Sequence, residues 1–214
     1  MYEDKDPSGQ LKWLAHELEI AESLGQKVHL LGHVPPGHEE CWSVWSKNFY
    51  QVVTRYYNNT SPLICSCFCK FVVRALQRLF CMMYRFSSTV RAQFYGHTHY
   101  EEFKLFYDPM DRAGASNTIW ISGSLTPYTN LNPSYKIFHV DGTRGAESTY
   151  HILDSDTWIY NLTEANSHPG RPPRWFRLYR ATENYRIPNL LPQSLHTLVR
   201  RMSANITEFN QYYR

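Results

Sequence analysis

The chain has little net charge. Its 22 lysines and arginines and 19 aspartates and glutamates leave a formal charge of +3 over 214 residues. Proteins that bind nucleic acid usually carry a concentrated basic stripe or patch. The composition therefore gives no reason to expect a nucleic-acid partner, and no protein partner can be read from it.

Long apolar runs are also missing. The first seven residues, Met-Tyr-Glu-Asp-Lys-Asp-Pro, are mostly polar, so they are not expected to form a signal peptide. The segment at about 57–84 is apolar but is interrupted by Lys70, Arg74 and Arg78, whereas a membrane helix needs ~20 apolar residues. We interpret this segment as an inserted amphipathic helix. A metal knuckle on its Cys-x-Cys-x-Cys run is the alternative, although this is not the usual paired Cys-x-x-Cys arrangement.

What the sequence does contain is a helix–strand–loop order. Apolar residues recur at helical spacing from Leu11 to Ala21, and Gly25 is placed to end that helix. A strand is then predicted at 27–31, a second helix at 43–56 and a second strand at 91–95. This order predicts an α/β layer structure with functional residues on the loops that follow the strands.

The second half of the chain is predicted to be mainly strands and then helix. Short strands separated by Asp, Gly, Pro and Asn turns are predicted at 102–107, 118–122, 135–140 and 149–153. An apolar stripe from Leu195 to Phe209, after Pro192, predicts a C-terminal helix.

Two histidine motifs carry the chemistry. Gly-His-Val-Pro-Pro-Gly-His, residues 32–38, follows the first strand, and Gly-His-Thr-His, residues 96–99, follows the strand at 91–95. Alternate residues of an extended backbone project similarly, so His97 and His99 are expected to face one site, and the glycines allow a close backbone approach. Imidazole binds several transition metals, zinc among them. The motifs together predict a metal site, whereas an isolated histidine in a loop is more often a hydrogen-bonding or solvated residue.

Five runs of sequence resemble acid sphingomyelinases. Two contain the histidine motifs: Lys-Val-His-Leu-Leu-Gly-His-Val-Pro-Pro-Gly-His at 27–38 and Ala-Gln-Phe-Tyr-Gly-His-Thr-His at 92–99. The others are Leu-Asn-Pro-Ser-Tyr at 131–135, Asn-Leu-Thr-Glu-Ala-Asn at 161–166 and Leu-Tyr-Arg-Ala at 178–181. The resemblance covers nearly the whole chain except the Cys-rich insert at about 57–84. We interpret that insert as retained intronic sequence or a gene-model artefact, which the transcript across codons 55 to 86 would decide.

The resemblance implies a fold and a division of the chain. The fold is α/β, the C-terminal part of a calcineurin-like metallophosphoesterase β-sandwich flanked by helices, followed by a helical C-terminal region. Residues 1–160 would belong to the metallophosphoesterase domain, with the atypical insert at about 57–84. Residues 161–214 would begin the C-terminal helical region.

The resemblance also implies a site with two zinc ions. Carried over by motif, His33 and His97 would bind one Zn²⁺ and His99 the other. His38 is not a ligand position in the family and is interpreted as loop structure. Tyr128, in the loop before Leu-Asn-Pro, is a candidate substrate-binding residue, and the alternative is an aromatic side chain that only packs the loop.

The implied activity is hydrolysis of sphingomyelin to ceramide and phosphocholine at a lipid surface, in a lysosomal or extracellular setting. Sequons at Asn58/Asn59, Asn161 and Asn205 fit a secreted glycoprotein. Two alternatives stay open. One is a related phosphodiesterase acting on nucleotides or other soluble phosphodiesters, and the other is a non-catalytic truncated product.

The family's carboxylate motifs are missing from this sequence. Asp-x-His, Gly-Asp and Gly-Asn-His-Glu do not occur, so the bridging aspartate and the histidine expected to protonate the leaving group are not found. No catalytic residue is therefore assigned in this chain. Three histidines without the bridging carboxylate are expected to hold two zinc ions poorly, and the chain alone is expected to be inactive.

Overall fold

The computed structural model describes residues 6–54, 89–107, 114–142 and 147–213, and every structural statement below concerns these ranges. The helices are α1 (Gln10–Ser23), α2 (Ser43–Val53), α3 (Leu162–Ser167), α4 (Ala181–Tyr185), α5 (Pro192–Ala204) and α6 (Ile206–Tyr213). The strands are β1 (Val28–Leu31), β2 (Val90–Tyr95), β3 (Glu102–Tyr107), β4 (Ala115–Ile121), β5 (Ser134–Val140), β6 (Ile152–Ile159) and β7 (Phe176–Arg180).

The strands form two sheets. The first has four strands in the order β1-β2-β4-β3, in which β1, β2 and β4 run parallel and β3 is antiparallel to β4. The second is an antiparallel meander in the order β5-β6-β7. Because β1 and β2 are parallel neighbours, their carboxyl ends lie side by side, and the loops that carry the two histidine motifs leave from the same edge.

The four-stranded sheet is buried on both faces. One hydrophobic cluster joins it to α1 and α2: Leu11, Leu18, Phe49, Val53, Val90, Tyr95, Phe106, Ile119 and Ile121. A second cluster joins the opposite face to the three-stranded sheet and the C-terminal helices: Ala92, Trp120, Ile152, Ala181, Ile187, Leu190, Leu195 and Leu198. Successive residues of β4 enter opposite clusters, as the period-2 geometry of a strand requires. The predicted α/β class with two sheets and flanking helices is confirmed.

The first helix ends where the sequence predicts. Gly25 adopts φ 66°, which costs glycine little because it has no Cβ. Its N–H donates to Glu22 O at 3.0 Å, and the N–H of Gln26 donates to Ala21 O at 2.8 Å. These two bonds form a Schellman-type end and satisfy carbonyls that the helix leaves without partners.

Other predicted boundaries shift. The second helix was expected to reach residue 56, but it ends at Val53 because Thr54 is extended, with φ −90° and ψ 118°. The strand expected at 149–153 begins only at Ile152, since Tyr150 has φ 56°. The apolar stripe expected as one C-terminal helix forms two, because Asn205 is extended between them with φ −136° and ψ 106°.

Strand β7 was not predicted, and it completes the second sheet by pairing with β6. The insert predicted at about 57–84 lies outside the described residues, as residues 55–88 are not described. The division at residue 160 stays a prediction. Within the described ranges, no helix is long and apolar enough to cross a membrane.

Candidate metal centre

The two histidine motifs meet at the carboxyl ends of β1 and β2. Backbone pairing continues past the strands, because Gly32 N–H donates to Phe94 O at 3.0 Å and Gly96 N–H donates to His33 O at 3.1 Å. The rings of His33 and His97 are therefore brought together, with centroids 5.2 Å apart and planes at 80°. Two of the three histidines predicted as metal ligands are thus neighbours.

Position 32 requires glycine because the backbone there lies close to the ring of Tyr95. A Cβ at this position would lie 2.5 Å from Cε1 of Tyr95, a ring buried beneath the loop. Burial raises the pKa of the Tyr95 phenol, and the nearby Cys41 raises it further, so the ring stays neutral. Gly96 is not constrained in this way, since the nearest atom to a Cβ there is Nδ1 of His33 at 3.9 Å.

The backbone of the second motif is not extended. His97 has φ 75° and His99 has φ 65°, both in the left-handed region that few non-glycine residues occupy. The expectation that an extended backbone directs the two imidazoles to one side is therefore wrong. The ring of His99 instead makes an edge contact with Tyr128, with centroids 5.9 Å apart.

His38 and Glu40 join the cluster, which the sequence reasoning missed. The ring of His38 lies 4.7 Å from that of His97, edge to face. Nε2 of His97 lies 3.0 Å from Oε2 of Glu40, and Nδ1 of His38 accepts from the N–H of Glu40 at 3.2 Å. His38 thus lies in ring contact with His97, and its interpretation as a loop residue that binds no metal stays a prediction.

The turn that returns His38 to the site has a sequence signal. Gly37 has φ 79°, and its N–H donates to Oγ of Ser46 at 3.0 Å. The N–H of His38 donates to Pro35 O at 3.2 Å. A Pro-Pro-Gly run favours such a turn, and the chain reversal brings the second histidine of the motif back towards the first.

The donor set fits part of a zinc site. Zinc–nitrogen distances of about 2.0–2.1 Å place the ring centres of two imidazoles on one tetrahedral zinc roughly 5 Å apart, close to the His33–His97 separation of 5.2 Å. Among the described residues, however, no group of three or more His, Cys, Asp or Glu side chains is arranged to hold a metal ion. His33 and His97 therefore fit as a pair of ligands in a centre that needs further donors.

Tyr128 lies beside the histidine motif at 96–99. It begins a short 3-10 turn, Tyr128–Asn130, and its side chain is 70% exposed. Thr129 and Asn130 both have positive φ, 66° and 63°, so the turn departs from regular helix. The phenol ring is accessible to a ligand next to His99, as a substrate-binding residue requires.

An apolar groove opens beside His33. Its volume is about 990 Å³, and its walls come from α1, β1 and the start of α2. Trp13, Leu31 and Trp42 line it and are exposed, Leu31 to 84%. His33 and Glu40 lie on its wall, so the histidine cluster borders a large apolar surface.

Comparison with known proteins gives two kinds of match. Residues 114–214 match the family model described as acid sphingomyelin phosphodiesterase C-terminal region. The chain is also 39% identical over 208 residues to a sphingomyelin phosphodiesterase from Bos taurus and to one from Homo sapiens. Each alignment covers 97% of this chain and 28% of the relative.

A more distant relative is similar over the same part of the chain. It is an acid sphingomyelinase-like phosphodiesterase 3b from Mus musculus, 28% identical, and the alignment covers 97% of this chain and 41% of the relative. The chain therefore spans well under half the length of these relatives.

Proposed function

We propose, on the premise that this chain belongs to the acid sphingomyelinase family, that the protein carrying it hydrolyses sphingomyelin to ceramide and phosphocholine with the help of zinc. The family is enzymatic, since its curated members are named as sphingomyelin phosphodiesterases. The observation that carries the proposal is the pairing of His33 and His97 at adjacent strand ends, 5.2 Å between ring centroids.

In this proposal, His33 and His97 hold one zinc and His99 holds the other. Bound zinc supplies a Lewis acid for the phosphoryl oxygens and a water acidic enough to ionise near neutral pH. The chain's own part is to orient the imidazoles by backbone pairing between the two loops. No residue here is assigned as the acid that protonates the leaving group, and a bridging carboxylate must come from outside the described residues.

Two features favour a lipid substrate. The apolar groove of about 990 Å³ next to His33 suits an acyl chain better than a nucleotide, because burial of apolar surface stabilises the bound state. Tyr128 is exposed beside His99 of the other motif, where it can contact the headgroup. A soluble phosphodiester is the competing substrate class.

The setting follows from the same proposal. We expect a lysosomal or extracellular glycoprotein that acts at a lipid surface. Asn161 and Asn205 are exposed, although each side chain already accepts a backbone hydrogen bond, from Glu164 and Thr207 respectively. Mass spectrometry of the secreted protein before and after glycosidase treatment would show whether these sequons are used.

The experiment that tests the proposal compares two proteins. Zinc content and hydrolysis of sphingomyelin and of a soluble nucleotide diester are measured for the 214-residue chain and for a version extended upstream. We expect only the extended protein to bind about two zinc ions and to hydrolyse sphingomyelin. Equal turnover by the short chain would contradict the conclusion that this chain lacks carboxylates needed for catalysis. Faster hydrolysis of the nucleotide diester than of sphingomyelin would contradict the proposed lipid substrate.

A further inference from the structure

Glu101 connects the second histidine motif to the three-stranded sheet. It lies two residues after His99 and directly before β3, and its carboxylate accepts one donor from each strand of the other sheet. Lys136 on β5 and the phenol of Tyr179 on β7 both bond to Oε1. Oγ1 of Thr157, on β6, lies 3.2 Å from Oε1 and 3.0 Å from Oε2.

The surroundings fix the carboxylate in this position. The side chain of Lys136 is only 6% exposed, and its Nζ lies 5.7 Å from the ring centroids of both Trp120 and Phe138. A buried ammonium group without a carboxylate is strongly unfavourable. If Glu101 moved away, the buried ammonium group of Lys136 would be left without its counter-ion. Burial, and then the charge of Glu101, raise the pKa of Tyr179, which keeps its phenol protonated as a donor.

The histidine loop between β2 and β3 depends on contacts from elsewhere. His97 and His99 hold φ of 75° and 65°, and such backbone persists only where the surroundings over-determine it. Within the loop, Thr98 N–H donates to Gly96 O at 3.0 Å, and Thr98 Oγ1 bonds to the backbone of Tyr100 at 3.3–3.4 Å. These bonds are local and exposed.

Gly123, in the segment after β4, lies between the backbone of the same loop and β5. A Cβ on Gly123 would lie 3.7 Å from the carbonyl oxygen of His99 and 2.1 Å from Oγ of Ser134. Gly123 is therefore packed tightly against Ser134, at the start of β5, and lies at ordinary contact distance from the His99 carbonyl. Glu101 adds an ionic anchor to Lys136 at the end of the loop.

We infer that Glu101 is a positioning residue, which holds the His97–His99 loop in its metal-binding conformation by tying it to β5, β6 and β7. The inference rests on the proposed function in one respect, that His97 and His99 are metal ligands. The side-chain bonds of Glu101 go to Lys136, Thr157 and Tyr179 of the second sheet. Glu101 acts through the backbone of the loop. Removal of its side chain should therefore make His97 and His99 more mobile while both histidines remain present.

The test compares three variants of the full-length protein. Glu101→Ala removes the whole anchor. Thr157→Val combined with Tyr179→Phe removes two of the three donors and leaves the ion pair with Lys136 intact, so this variant is the more certain to fold. Asp156→Asn is the matched control, because Asp156 bonds to His139, Arg177 and Arg180 and perturbs the same sheet without touching the loop.

Two quantities are measured, zinc affinity by competition with a chelator and amide hydrogen exchange of residues 97–101 in the zinc-free protein. For Glu101→Ala we expect zinc affinity to fall roughly tenfold to a hundredfold, as for other residues that support ligands, and exchange to accelerate at least about tenfold. The double variant should show a smaller change in the same direction, and Asp156→Asn should leave both quantities within about twofold of wild type.

The outcomes separate the inference from the function on which it rests. Wild-type exchange and zinc affinity in both anchor variants would overturn the inference, and so would an equal loss in Asp156→Asn, which would indicate general destabilisation of the sheet. If His97→Ala leaves zinc affinity unchanged, the ligand assignment fails instead. Exchange in the zinc-free protein then still decides whether Glu101 holds the loop.

Discussion

Oε2 of Glu40 lies 3.0 Å from Nε2 of His97. An acidic side chain of the first loop therefore contacts a ring nitrogen that could otherwise bind a metal. The pair is partly open to solvent, with Glu40 64% and His97 20% exposed. Even a fully charged exposed pair contributes only about 0–1 kcal/mol, and this sets the upper limit for the contact. Glu40 should therefore compete weakly with zinc for His97.

The first prediction concerns Glu40. Glu40→Gln should raise the zinc affinity of the full-length protein, by less than about fivefold, because at most about 1 kcal/mol of competition is removed. A competitive titration with a chromophoric chelator measures the change, and Glu39→Gln, next in sequence and also exposed, is the control. A tenfold or greater loss of affinity would instead identify Glu40 as a ligand.

The second prediction concerns Tyr128. Tyr128→Ala should raise KM for sphingomyelin with little change in kcat, by a factor of about 2–13, the range that an aromatic contact of about 0.5–1.5 kcal/mol provides. Tyr128→Phe should retain most of the binding, because the ring is kept. Steady-state kinetics of the full-length enzyme on mixed micelles are the measurement. Leu125→Ala, on the same exposed loop, is the control, and unchanged kinetics in Tyr128→Ala would leave this tyrosine a loop-packing residue only.

The third prediction concerns pH. Nε2 of His151 lies 3.1 Å from NH1 of Arg91, and burial, followed by the charge of Arg91, lowers the pKa of His151. Asp141 acts in the opposite direction, while His29 and Lys27 lower the pKa further.

The sign follows from proton binding. With the pKa lowered in the fold, the unfolded chain binds more protons below its own pKa of about 6.5. The contribution of His151 to stability is therefore complete above about pH 6.5 and is lost as the pH falls towards the lower pKa of the folded state. Urea unfolding at pH 5 and pH 7 should show a smaller pH dependence in His151→Gln than in wild type. His16→Gln, exposed on α1, should behave as wild type, and identical pH dependence in all three proteins would contradict the prediction.

The fourth prediction concerns the packing of α5 on the four-stranded sheet. Leu195 is 1% exposed in the cluster that contains Trp120 and Ile152. Leu195→Ala should lower the free energy of unfolding by about 2–5 kcal/mol, because it removes buried methyl groups and leaves a cavity. Ile206→Ala, at an exposed position on α6, should stay within about 0.5 kcal/mol of wild type. Denaturant unfolding of both variants measures the two changes. Equal decreases in the free energy of unfolding would show that Leu195 on α5 contributes no more to the core than an exposed residue.

Much of the fold could be predicted because its signals are local. Helix α1 follows from apolar spacing and the glycine at 25, and β1, β2 and β3 follow from short apolar runs that end at turn residues. The errors fall where a distant contact overrides the local pattern. Strand β7 has mixed polarity and forms because β6 offers an edge, and the position of β6 is set by pairing with β5 rather than by its own sequence.

The sequence by itself determined that His33, His97 and His99 follow strand ends and that the chain resembles the acid sphingomyelinases, because motifs and turn residues are read locally. Only the tertiary structure decided which imidazoles meet. That decision depends on the parallel pairing of β1 with β2, in which Val28 faces Val90, a contact between segments that no short window of sequence contains. It also depends on the turn at Gly37, which brings His38 and Glu40 to His97, and on the anchoring of Glu101 by three strands of the other sheet.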